Sequence, residues 1–299
     1  MREICYLTRR NMKLFFKDKG MFFSSLITPV ILLVLYSTFL SGIYRDSFES
    51  SLPAGFSVDR ALINATVGGQ LISSLLAVSC VTVAFCSNLL MIQDKTSGAI
   101  RDFTVSPVRR SALAIAYFAA SALVTLIVNF TALAVSLIYL AATGWFLSVG
   151  DVFLLLLDVL LLTLFGTALS SCVNFPLSTN GQASAVGTIV SAGYGFICGA
   201  YMPISSFSTG LQRALSFLPG TYGTSLLRNH ALAGVYRQMS EIGFPDEVIS
   251  GIKTSIDCNI SFFGHSVDIG VMYLILVLSI IFLVGLYVIL NRFCHFKKS

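Results

Sequence analysis

Six times along this chain the sequence runs for ~20 residues or more with scarcely an ionisable side chain, the length a helix needs to cross a bilayer. The runs cover residues 21–43, 61–92, 111–142, 152–173, 183–201 and 269–290. Only the fourth contains an acid or a base, Asp158. Backbone exposed to lipid must satisfy its own hydrogen bonds, so each run is expected to be a helix. The second and third exceed the hydrocarbon thickness, which implies tilt or protrusion, and Pro29 in the first is a candidate kink. Composition agrees: 56% of residues are hydrophobic and 11% charged, with a mean hydropathy of +0.84, whereas soluble domains carry about 25% charged residues. A soluble enzyme, a nucleic-acid binder and a disordered scaffold are excluded.

Arginine and lysine orient the spans. With the N-terminus in the cytoplasm, six spans leave both termini inside and put thirteen of the 19 basic residues there. These lie in the first 20 residues, in the loop 93–110 and at the C-terminus, while Arg45, Arg60, Arg213, Arg228, Arg237 and Lys253 fall outside. The charged first 20 residues do not have the form of a cleavable signal, so the first span is expected to serve as its own insertion signal. That segment alternates Ile4, Leu7, Leu14 and Phe15 with Arg9, Arg10, Lys13 and Lys17. It reads as an interfacial helix on the inner leaflet, basic side toward anionic lipid; the alternative is a basic flank that only sets topology. The seven cysteines have no close C-x-x-C spacing and behave as small hydrophobes. His230, His265 and His295 are dispersed, expected outside, outside and inside, and imply no metal site.

The loop between the second and third runs predicts a short charged helix, broken by Gly98 and stopped ahead of Pro107. A solvated connector fits that pattern, and so does a rod that transmits a push from a cytosolic partner. The run Asp94, Gly98, Phe103, Ser106, Pro107, Val108 and Arg109 resembles the inner loop of the type-2 ABC exporter permeases. So does a later series: Gly199-Ala-Tyr-Met-Pro203, Leu211-Gln-Arg-Ala-Leu215, Leu218-Pro219 and Leu226-Leu227-Arg228. It is similar to that family's small-residue-rich fifth helix, proline, outer amphipathic piece and closing Leu-Arg. The likeness covers residues 1 to about 230 and the last helix. The stretch 230–268 looks longer than in compact members and inherits nothing.

The resemblance implies an all-α integral membrane protein, a single transmembrane domain over residues 1–299. It would have six transmembrane helices, an N-terminal interfacial helix, a cytoplasmic coupling helix and an outer, semi-apolar, re-entrant-like segment within 202–268. It also implies the permease half of an ATP-driven exporter, in which Asp94, Gly98, Arg101, Phe103, Pro107 and Arg109 couple to a separate ABC ATPase. No G-x-x-x-x-G-K-[ST] phosphate loop occurs here. ATP and magnesium are therefore expected on that partner, with no cofactor and no catalysis in this chain. A second permease subunit, identical or paralogous, and the lipid of a bacterial cell membrane are the other expected partners; nucleic acid is not.

Candidate transport residues come from two helices. Ala183, Gly187, Ser191, Gly195 and Gly199 recur every four residues, a spacing that lets another helix approach closely. Packing inside one subunit explains the stripe, and so does a position at the two-fold axis of a dimer. On the second reading Gly195→Leu is expected to reduce export at unchanged protein level. In the second span Gln70, Ser73, Ser74, Thr82, Ser87 and Asn88 are either glue between helices or cavity lining. Family analogy favours the cavity, which makes Gln70, Ser74, Phe85, Tyr194 and Phe196 candidate substrate contacts. Asp158 sits among leucines, where an ionised carboxylate costs ~3 kcal/mol on insertion scales. It is either a paired or protonated structural acid or an ion relay, and a relay needs further titratable stations. The expected cargo is a hydrophobic or amphiphilic drug, antibiotic or lipid-like compound moved outward, with a lipid-linked polysaccharide as the alternative. A secondary transporter or channel working alone through Asp158 is the competing class.

Overall fold

The computed structural model describes residues 2–35, 38, 42, 59–105 and 108–293. Helix α1 (Arg2–Lys17) and helix α2 (Lys19–Leu35) meet at a 75° bend. Asp18 makes that corner: its Oδ1 accepts from the Met21 amide at 3.1 Å and caps α2, while its own amide still bonds Leu14 O. Pro29 lies inside α2, so the sharp turn belongs to the capped corner and not to the proline. The remainder of the first apolar run, residues 36–37, 39–41 and 43, is outside the described residues.

Helices α3 (Arg60–Ser87) and α4 (Leu89–Thr96) form one 37-residue rod with a step at Asn88. Almost every side chain of α3 is buried, because α2, α6, α7, α8 and α10 pack round it. A helix apolar on all sides is what such a central position selects. Gly98, at φ +83°, turns the chain into α5 (Ala99–Val105), a conformation that favours glycine. Then come α6 (Arg110–Thr143) and α7 (Val149–Asn174), the latter opened by a capping box of Ser148 and Asp151. Helix α8 covers Asn180–Ile197. After a 3₁₀ turn at Ile204–Ser206 follow α9 (Thr209–Leu215), α10 (Pro219–Ala231), α11 (Ala233–Glu241) and α12 (Asp246–Ser255). An antiparallel hairpin of β1 (Ser261–Phe262) and β2 (His265–Ser266) leads into α13 (Ile269–Phe293).

Among the described residues four helices are long and apolar enough to cross a bilayer: the α3–α4 rod, α6, α7 and α13; the α1–α2 pair makes a fifth if counted as one broken span. This is an all-α membrane protein. The run expected over 183–201 is helical over Asn180–Ile197 and is not in that set. Asn180, Gln182 and its several glycines and serines lower its hydropathy, and Gly199 at φ +76° ends it early.

One expectation needs correction. Helix α1 does not simply lie on lipid: it packs along α6 and buries Thr8, Asn11 and Phe15. The stretch 202–268, expected to be a semi-apolar, re-entrant-like segment, is largely helical. Helix α10 inserts among α3, α7 and α13. Its 13 residues span ~20 Å, short of the ~30 Å hydrocarbon core. It runs antiparallel to α7, with Gly223 against Leu162 and His230 against Asp158; beyond it Arg237 of α11 meets Asp151. Helices α11 and α12 then roof the start of α3 around a second core of Leu62, Ile63, Leu232, Val235, Met239, Phe244 and Ile249.

Candidate functional site

One polar centre lies where α4 hands over to α5. Asp94, in the last turn of α4, is buried and takes both nitrogens of Arg10 from α1: Nη1 to Oδ2 at 2.5 Å and Nη2 to Oδ1 at 3.2 Å. The Tyr117 hydroxyl of α6 donates to Oδ2 at 2.5 Å. The same guanidinium lies 5.1 Å from the Phe103 ring centroid on α5. Bidentate pairing and ring stacking both exploit the flat arginine head. The Asp94 hydrogen bond raises the Arg10 pKa above its already high ordinary value, so the guanidinium stays charged. Beside it, Lys95 Nζ donates to the carbonyls of Phe175 at 2.5 Å and Leu177 at 3.0 Å, just past the end of α7. Phe175 meets Tyr287 of α13 edge-on at 6.4 Å. Helices α1, α4, α5, α6, α7 and α13 are thus pinned together at one end.

Of the residues expected to couple to an ATPase, Asp94 turns inward and is not a surface contact, because burial obliges the carboxylate to find a cation. Arg10, counted with the lipid-facing bases, is that cation. Gly98 supplies the turn, Phe103 is half-buried under Arg10, and exposed Arg109 is the cap residue of α6. Pro107 and the side chain of Arg101 lie outside the described residues.

The second polar centre lies halfway along α3. Arg228 of α10 is buried and donates to Ile256 O at 2.8 Å, Asp257 Oδ2 at 3.3 Å, Ser74 Oγ at 3.4 Å and Gly199 O. Asp257 also accepts from the amides of Ile204 at 2.5 Å and Ser205 at 3.2 Å. One ion pair therefore fastens α10 to α3, to the end of α8 and to the turn after α12. A Cβ on Gly199 would sit 2.9 Å from Ile204 Cγ1, so the tight turn beneath Arg228 needs glycine for space as well as for φ.

Asp158 is paired as well. His230 Nδ1 lies 2.6 Å from Oδ2, Tyr273 Oη donates to Oδ1 at 2.5 Å, and the two rings stack at 6.2 Å. His230 was expected outside and dispersed; it is buried, because α10 folds back into the bundle. It also lines an open basin of about 580 Å³ with Tyr236, Arg237 and Lys253.

Of the remaining polar residues along the α3–α4 rod, Ser79, Ser87 and Asn88 meet other helices, while Thr66, Ser73 and Thr82 bond back to carbonyls of α3. Ser79 donates to Asn129 at 2.7 Å, Asn129 to Thr163 at 3.0 Å, and Asn88 to Ser170 and Ser171 at 2.9 and 2.8 Å. Gln70, Ser74 and Phe85 are buried inside this single chain, and Tyr194 is buried with its hydroxyl against Gly220. Only Phe196 of the five expected substrate contacts is exposed, so they do not meet on one open surface. The small-residue stripe divides too. Gly195 lies under the Tyr201 ring and Gly199 in the turn, while Gly187 and Ser191 are half-exposed. Leucine at 195 would collide with Tyr201 within its own chain, so the expectation of unchanged protein level is withdrawn. The open side of α8 carries Ser184, Ala185, Thr188, Ile189, Ala192 and Phe196 instead.

No curated protein matches the chain. The sequence model of the ABC-2 type transporter family matches residues 2–231, from the first residues of α1 to the end of α10, and takes in Arg10, Asp94, Asp158, Arg228 and His230. By that match over most of its length the chain belongs to the ABC-2 type transporter family and is an ABC transporter membrane subunit.

Proposed function

We propose that this permease forms the membrane half of an ATP-driven exporter, pairs with a second permease, and carries a hydrophobic or amphiphilic compound outward. A separate ATP-hydrolysing subunit binds magnesium and nucleotide and presses on α5 and the exposed side of α1 from the cytoplasm. The observation that carries this reading is the Arg10–Asp94–Tyr117 junction, with Phe103 stacked on it. Charge-assisted bonds among closely packed helices resist independent movement. A displacement of α5 therefore moves α1, α4 and α6 as a unit, and Lys95 passes it on to the end of α7. The open face of α8, which has no ionisable side chain, supports a cargo of low charge.

The test is reconstitution with the ATPase subunit in vesicles, following a fluorescent amphiphile. Transport that requires ATP, together with hydrolysis stimulated by the amphiphile, is the expected outcome. Sustained flux by this chain with no ATPase present would overturn the assignment.

A further inference from the structure

We propose that the hairpin before α13 is a lipid anchor: Phe217, Phe262 and Phe263 seat in the bilayer leaflet at the α10 end, and Arg213 holds a lipid phosphate above them. The three rings form one cluster, with centroids 4.9 to 5.9 Å apart, and the Arg213 guanidinium lies 5.4 Å from the Phe263 ring. Phe217 is 63% and Phe263 53% exposed, and among the described residues no carboxylate pairs with Arg213.

Three observations say what covers them. The first is backbone strain. Phe263 and Gly264 form the two-residue loop of the hairpin, with φ of +49° and +88°. Hairpin loops put Asn, Asp or Gly at such positions, because a bulky side chain is disfavoured in the left-handed region. A ring held there against that preference calls for an interaction at the tip. The second is depth. Helix α10 runs along α7 toward that helix's N-terminal end, so its first turn lies further toward the bundle centre than His230, which is level with Tyr273 near the start of α13. Tyr222 and Thr221 of that first turn bond the carbonyls of Ser216 and Leu215, which puts Phe217 beside it. The exposed rings therefore sit no higher than the first turns of a membrane span. The third is continuity: α13 begins three residues after β2 and presents Ile269, Val271 and Leu274 outward. Aromatic rings backed by an arginine at the end of a span match the apolar-to-phosphate gradient of the interface.

The anchor depends only on α13 spanning the membrane, whatever the cargo. The chain has a single tryptophan, so Trp145→Phe with Phe263→Trp gives one reporter, and Trp145→Phe with Phe217→Trp a second should the first fold poorly. Each is reconstituted in phosphatidylethanolamine–phosphatidylglycerol vesicles with acyl chains brominated near the headgroup. Loss of most of the tryptophan emission to bromolipid, with little loss to aqueous iodide, is expected. Quenching by iodide alone would overturn the proposal by showing the rings in water. Insensitivity to both quenchers, lifted when the protein is diluted to single copies, would overturn it in favour of a second copy.

Discussion

A carboxylate among leucines needs a partner, and Asp158 has two that the linear sequence did not offer. His230 lies 72 positions away in a segment with no span signal, and Tyr273 115 positions away near the start of α13. The acid itself was legible, because an ionisable group in an apolar run is costly wherever the fold puts it. Its imidazole was not, since nothing in the periodicity of residues 219–231 shows that they fold back into the bundle. The pairing favours a structural acid, and the two readings separate cleanly. Asn at 158 keeps two polar atoms for His230 and Tyr273, so Asp158→Asn is expected to export at near the parental rate. Asp158→Leu strands buried His230 at about 1–3 kcal/mol, deprives half-buried Tyr273 of its acceptor, and should lower the melting temperature in detergent. Complete loss of export from a folded Asp158→Asn protein would instead make the carboxylate a proton station. Arg228 obeys the same logic at higher stakes. Arg228→Ala leaves Asp257 buried without its cation, which costs about 3–5 kcal/mol, and protein recovery from membranes should fall accordingly.

Among the helices, the inner loop was the most legible element: Gly98 and the charged run around it mark a short rod, and α5 forms there. What that rod is tied to was hidden, because Arg10 and Asp94 are 84 positions apart and each reads alone as a solvated charge. The apolar face of α1 likewise predicted an amphipathic helix without saying that α6, as well as lipid, would cover it. If the junction carries force, its geometry and not its net charge matters. Arg10→Lys retains the cation but loses the bidentate fork and the flat stack on Phe103. It is expected to lower amphiphile efflux severalfold while ATP hydrolysis by the partner continues, so that less transport is obtained per nucleotide. Tyr117→Phe should shift the ratio the same way. A proportional fall of efflux and hydrolysis in both variants would show that the junction only maintains the fold.

For the molecule as a whole, the question is which outer faces meet lipid and which meet protein, and hydropathy cannot answer it because both are free of charge. Side-chain size can. Helix α13 turns Leu274, Leu278, Ile281 and Phe282 outward, and α2 turns out Phe23, Ile27, Val30 and Ile31. Such bulky, flexible surfaces suit acyl chains. Helix α8 turns out Ser184, Ala185, Thr188 and Ala192. In lipid no hydrophobic drive brings helices together, so association depends on close backbone approach and on hydroxyls that find partners across the gap. A two-fold interface is also self-complementary, and a residue near its axis meets its own copy. Ala185→Cys and Ala192→Cys, each made with Cys5→Ser to remove the thiol exposed among the described residues and with Cys294→Ser, are therefore expected to give a disulfide-linked dimer on mild oxidation in native membranes. Leu278→Cys should remain monomeric under the same treatment. Cross-linking at 278 and none at 185 or 192 would transfer the contact to α13 and turn α8 toward lipid. A repeat in vesicles at low protein-to-lipid ratio separates a standing interface from chance collision, because only a standing interface keeps its yield as the copies are diluted.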